Sequence, residues 1–268
     1  MIGRILAVCA KEWAELRRSR IVLTTLIVPS VLYVGLPLWL LRGGLSSGLL
    51  AEATRLSPRE LASVQRALPY LAGLPPQQAL EVFVINQFLV LFMLAPLFIP
   101  LTIASYSVIG EKQLRSLEPL LATPIRTWEL LTAKGVSAAL PGIVVTWGSY
   151  AAFALSARQI VGEAVFRFMI GPTWLVAFLL VAPLFSLMAV GMAVIASSRT
   201  NDPRAAQQLG AVVILPIAGL LFAQVAGLVF LSVWLMLALA GVTALVDLGL
   251  LVVATRLFRR ETILTRWK

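Results

Sequence analysis

The sequence predicts an all-α, polytopic integral membrane protein, and three observations carry that prediction. Hydrophobic residues make up 60% of the chain and charged residues only 13%, whereas soluble domains average roughly 45–50% and 25%. Mean hydropathy is +0.94. The apolar residues gather in stretches long enough to cross about 30 Å of hydrocarbon as helices, which takes roughly 20 residues. A water-soluble fold of 268 residues has too little interior to hide them.

Taken in order, residues 1–20 predict an amphipathic helix. Ile2, Ile5, Leu6, Cys9, Trp13 and Leu16 recur at helical spacing, opposite Arg4, Lys11, Glu15 and Arg18. The pattern suits a helix in the membrane interface with its stripe in the acyl boundary, or one packed on the protein's own cytosolic side. Glu12 and Glu15, within a long charged region, set the segment apart from a signal peptide. Six spans follow at about 21–41, 84–109, 136–157, 173–196, 208–226 and 229–254. The last two are joined by a tight link near Gly227. Pro29, Pro37, Pro96, Pro100, Pro183 and Pro216 fall inside spans, where buried neighbours re-satisfy the freed carbonyls. Trp39, Trp147 and Trp174 lie near span ends, as an interfacial aromatic belt places them.

Between the first two spans, residues 42–83 predict one or two short extracytoplasmic helices. Ser57-Pro58-Arg59-Glu60 has a capping-box layout ahead of an apolar stripe of Leu61, Val64, Leu68 and Leu71. Pro75-Pro76 then opens a helix that runs through Glu81 into the second span. Orientation follows from the cations. With the N-terminus inside, the inner segments carry sixteen Lys and Arg and the outer segments six, a positive-inside bias that places both termini in the cytoplasm of a multi-pass protein of the cell membrane. The net charge of +10 then belongs to anionic lipid headgroups, and no nucleic acid partner is expected.

The composition also excludes much chemistry. There is no histidine and one cysteine, so neither a Ser-His pair, a disulfide framework nor a Cys-based zinc site can be built, and no metal is expected. The twelve acids are scattered, with no nucleophile–base pair. No G-x-x-x-x-G-K-[ST] phosphate loop is present.

The segment 110–135 stands apart. The second span continues as a charged stretch that breaks at Glu118-Pro119, because a residue before proline avoids the α region. Pro119 suits the first position of a short helix, Pro124 ends it, and Thr127 caps the next helix with Glu129 in its first turn. Leu117, Leu120 and Leu121 form a compact apolar knob with a charged rim, shaped to sit in another protein's groove.

The run Glu111 to Pro124, EKQLRSLEPLLATP, resembles the signature of the type-2 ABC exporter permeases (ABC-2 type). There a G-E-[KR] stretch leads into G-T-L-E-x-L-L-x-[TS]-P, with an E-L-x-x-x-K-G-like tail matched by Glu129 to Gly135. Leu257 to Leu264 is similar to the F-x-R-E ending of that family, while Arg115-Ser116 stands where Gly-Thr is usual. The resemblance implies a type-2 exporter permease architecture: six spans per subunit, a lead-in helix, pairing with a second permease copy or paralogue, and a coupling helix driven by two cytosolic ATPase subunits. ATP and Mg are then bound by the partner ATPase, with no cofactor and no catalytic residue in this chain. The implied contact residues are Glu111, Lys112, Arg115, Leu117, Glu118, Pro119, Leu120, Leu121, Thr123 and Pro124.

Four polar residues in the spans remain. Asn86, Gln87 and Gln224 either line a substrate path or satisfy helix contacts. Asp247 is an intramembrane carboxylate, a functional feature by default. It forms a helix–helix contact, pairs with Arg256, or serves as the coupling site of an ion-gradient-driven carrier or channel, which is the alternative function. The apolar spans do not distinguish one substrate from another.

Overall fold

A computed structural model describes residues 2–46, 74–114, 127–226 and 228–257. Among these residues every regular element is a helix. Helix α1 is Ile2–Arg18, α2 is Arg20–Ser46, α3 is Pro76–Gln113 and α4 is Thr127–Ala157. Short α5 (Glu163–Met169) and α6 (Pro172–Val176) lead through a π turn, Ala177–Val181, into α7 (Ala182–Ser197). Helix α8 (Pro203–Gly210), a 3₁₀ turn at Ala211–Ile214 and α9 (Leu215–Val225) form one broken rod, and α10 is Val233–Leu257. Six of the resulting rods are long and apolar enough to cross a membrane. The predicted external helices and coupling stretch, at 47–73 and 115–126, lie outside the described residues.

Helix α3 is the hub. Its most hydrophobic stretch is 67% buried, against 17% for those of α2, the α8–α9 rod and α10. It packs against α7, α4, α2 and α8. At 38 residues it is about 57 Å long at 1.5 Å per residue, far beyond the hydrocarbon thickness, so it carries Glu111 and Lys112 clear of the apolar layer. Its contact with α4 is close because Gly142 faces Pro100. A Cβ on Gly142 would sit 2.5 Å from the Pro100 ring.

Local sequence explains the irregular turns. In the π turn, the Ala182 N–H bonds to Ala177 O, and an i+5 donor to Phe178 O would have to come from Pro183, which has none. The indole of Trp147 takes up that carbonyl instead, at 2.7 Å. Pro216 likewise cannot donate to Val212 O, and the Leu215 N–H does so one residue early, which tightens the rod to 3₁₀ geometry. Asp202 accepts from the Arg204 N–H at 3.0 Å with Pro203 first in the helix, a cap that starts the fifth span at 203 instead of 208. Ser232, accepting from the Leu235 N–H at 3.2 Å, starts α10 at 233 instead of 229.

One belt residue moves inside. Trp174 is fully buried, because it stacks on Tyr150 with ring centroids 5.6 Å apart and meets Phe92, Phe153 and Phe178 around it. Trp39 remains exposed. Helix α1 also differs in detail from a helix lying only on lipid. Leu6 is exposed, but Cys9 Sγ reaches Ala133 O at 3.5 Å and the Trp13 indole donates to Ser137 O at 3.3 Å. The Cys9 and Trp13 part of the stripe therefore packs on α4.

Candidate functional site

At the end of the bundle where α1 lies, three helices meet through charge. Cys9, Glu12, Trp13 and Leu16 share one face of α1 at helical spacing. On α3, Ser107 and Glu111 are one turn apart and face the same way. Lys134, in the second turn of α4, stands between them. Its ammonium donates to Glu12 Oε1 at 2.8 Å and to Ser107 Oγ at 3.0 Å, and forms an ion pair with Glu111 Oε2 at 2.8 Å. The Ser107 hydroxyl donates to Glu12 Oε2 at 2.7 Å, and Lys11 donates to Glu111 Oε1 at 3.0 Å.

Glu12, Glu111 and Lys134 are all buried. Two carboxylates and two ammonium groups, counting Lys11, cancel one another. Burial alone pushes the Glu12 carboxyl up, but the charge and hydrogen bond of Lys134, the Ser107 hydroxyl and the Lys11 charge outweigh it and hold it below 4.5. Lys11 is moved the other way. Burial opposes its charge, yet the hydrogen bond and charge of Glu111, with Glu15 and Glu12, raise it above 10.5.

This cluster brackets the segment 115–126. Glu111 is four positions before Arg115, and Lys134 is eight positions after Arg126. Their contact closes the loop at its base. A second fastening holds the end of α3: Lys112 donates to Thr200 O at 3.3 Å and the Gln113 amide to Asn201 O at 2.9 Å, both in the link between α7 and α8. The end of α3 is thus tied to α1, α4 and the α7–α8 link together.

Of the residues expected from sequence to contact a partner, Glu111 and Lys112 fall within this arrangement. Arg115, Leu117, Glu118, Pro119, Leu120, Leu121, Thr123 and Pro124 lie outside the described residues. Glu12 and Lys134 were not assigned a role from sequence. The signal was there in Glu12, a carboxylate set within the apolar stripe between Cys9 and Leu16, because such a residue needs a buried cation.

The polar residues within the spans divide. Asn86 and Gln224 come together, both buried, with the Gln224 amide donating to Asn86 O at 2.8 Å and joining α9 to α3. Gln87 lies beside them on α3, its side-chain carbonyl without a hydrogen bond among the described residues. Asp247 lies on α10, which contributes no residue to either group. It forms no pair with Arg256, a correction to one sequence expectation. Nine positions along a helix is about 13 Å and two and a half turns, so the two side chains leave opposite faces. Among the described residues neither Asp247 carboxylate oxygen has a hydrogen-bond partner.

A helical bundle with six rods of membrane length defines a multi-pass membrane protein. Residues 74–238 match the family described as ABC-2 family transporter protein, and the chain belongs to that family as a permease subunit of an ABC transporter. No curated protein matches the sequence.

Proposed function

We propose that this chain is the membrane-spanning permease of an exporter driven by ATP hydrolysis in a separate pair of cytosolic ATPase subunits. The reading is carried by the Glu111–Lys134 contact at 2.8 Å, which closes the base of the segment 115–126 and ties it to three helices. The leucines at its tip, Leu117, Leu120 and Leu121, enter a groove on the ATPase. Arg115, Glu118, Pro119, Thr123 and Pro124 shape and flank that knob. ATP and Mg are held by the partner, a second permease copy or paralogue completes the pathway, and both termini face the cytoplasm of the cell membrane. The positive-inside distribution of Lys and Arg supports that orientation.

Two experiments test the reading separately. Leu120→Asp with Leu121→Asp should abolish co-purification of the ATPase while the permease still inserts; an intact complex with unchanged ATP-driven transport rejects the coupling role. Leu120→Cys in a Cys9→Ser background should react with an impermeant maleimide only from the cytosolic side. Labelling from outside reverses the topology.

A further inference from the structure

We propose that the groove between α1, α2 and α4 holds one acyl chain of an anionic phospholipid from the leaflet on the α1 side, its phosphate at Arg17. The groove has a volume of about 230 Å³ and is lined by Leu16, Val22, Leu26, Leu140, Val144 and, at its mouth, Arg17. Trp13 also lines it, but its indole N–H is committed to Ser137 O, so only the apolar ring faces the space. The groove therefore offers hydrocarbon inside and charge at the rim.

The groove lies within a single leaflet. Along α4 it is lined from Leu140 to Val144, four positions or about 6 Å of helix, well inside the half-thickness of about 15 Å of a 30 Å hydrocarbon layer. Charge complementarity selects the headgroup. Arg17, Arg18 and Arg20 are exposed, and none forms a salt bridge among the described residues. The nearby acid Glu15 is turned to Lys11 at 3.5 Å. A guanidinium free at the mouth of an acyl-sized slot binds phosphate through paired N–H groups, which a zwitterionic headgroup answers more weakly because its own cation competes. The proposal needs the chain to lie in a bilayer and assumes nothing about the ATPase, so its failure and that of the coupling reading are distinguishable.

The test uses the full chain in mild detergent, with dioleoyl phosphatidylglycerol and dioleoyl phosphatidylcholine as probes. Native mass spectrometry reads the bound lipid, and the unfolding midpoint reads the stabilisation. The unaltered chain should retain one phosphatidylglycerol with roughly fivefold preference, the scale of one basic residue near an anionic surface. Arg17→Gln should remove the preference and keep binding. Val144→Trp, or Leu26→Trp from the facing helix should the first fail to fold, should fill the slot and release the lipid. Equal retention of the two lipids, preference surviving in Arg17→Gln, or retention unaffected by a filled slot would each mean annular lipid only and overturn the proposal.

Discussion

The acids of the α1 end and the acid of α10 are built into the protein in opposite ways. At the α1 end, Glu12 and Glu111 converge on Lys134 within 2.8 Å, with Ser107 and Lys11 completing the set. In α10, Asp247 has no hydrogen-bond partner among the described residues. The first site gathers its charges from three helices distant in sequence, so it exists only when those helices are docked. The second belongs to one helix and asks nothing of the others. A paired cluster of this kind registers the relative position of its helices, because sliding of α1, α3 or α4 parts a buried carboxylate from the cation that compensates it. The lone carboxylate registers nothing comparable.

The sharpest way to break that comparison is to remove its central cation. Lys134→Met leaves two buried carboxylates facing each other, and removal of one partner from a buried ion pair costs about 3–5 kcal/mol. The unfolding midpoint in detergent should fall steeply. Glu12→Gln and Glu111→Gln added to the same chain should restore much of the loss, because the uncompensated charges are then gone. A loss under about 1 kcal/mol, the value of an exposed pair, would show that the cluster is solvated and carries no positional information.

Acid supplies a second, smaller test of the same cluster. The folded Glu12 carboxyl is held below its ordinary 4.5, so its contribution is complete above about pH 4.5 and is lost as pH falls through the folded value. The unfolding midpoint of the native chain should therefore drop between about pH 5 and pH 3 by more than that of Glu12→Gln. Parallel acid limbs for the two chains would mean that Glu12 does not prefer its charged form in the folded protein. Smaller again is the hydrogen bond at the far end of α3. Gln224→Leu removes the donor to Asn86 O, and interhelical hydrogen bonds in membranes average about 0.6 kcal/mol, so the midpoint should shift slightly and ATP hydrolysis by the reconstituted complex should persist.

The two sites were also unequally legible in the sequence. Asp247 stands out in any reading, because a charge within a long apolar run breaks a one-dimensional pattern. The Glu12–Lys134 pair does not, since its members are 122 positions apart: Glu12 interrupts the apolar stripe of α1, but nothing in the sequence names Lys134 as the cation it meets. The spans were legible for the same one-dimensional reason, and their limits were missed where a single polar cap decides them. Asp202 lengthens the fifth span inward, and Ser232 delays the sixth. Trp174 looked interfacial by position along its helix, but Tyr150 and Phe178, stacked with centroids 4.0 Å apart, build a wall that only tertiary contact reveals. Glu111 was legible because a sequence motif carried it, while its role as the base of a closed loop required the partner on α4.

Asp247→Asn is the substitution with the smallest expected effect, and it asks whether the lone carboxylate acts through its charge. With no hydrogen bond or salt bridge among the described residues to lose, the nearly isosteric amide should change the unfolding midpoint by no more than about 0.5 kcal/mol. ATP hydrolysis by the reconstituted complex should be preserved at every pH tested. A carrier driven by an ion gradient would behave otherwise, because a coupling carboxylate must gain and lose its ion in each cycle. Asn can do neither, so transport would be abolished, and a protonophore would stop the unaltered protein while ATP was still present. That outcome would exchange the two sites: Asp247 would become the working group, and the Lys134 cluster a structural clamp.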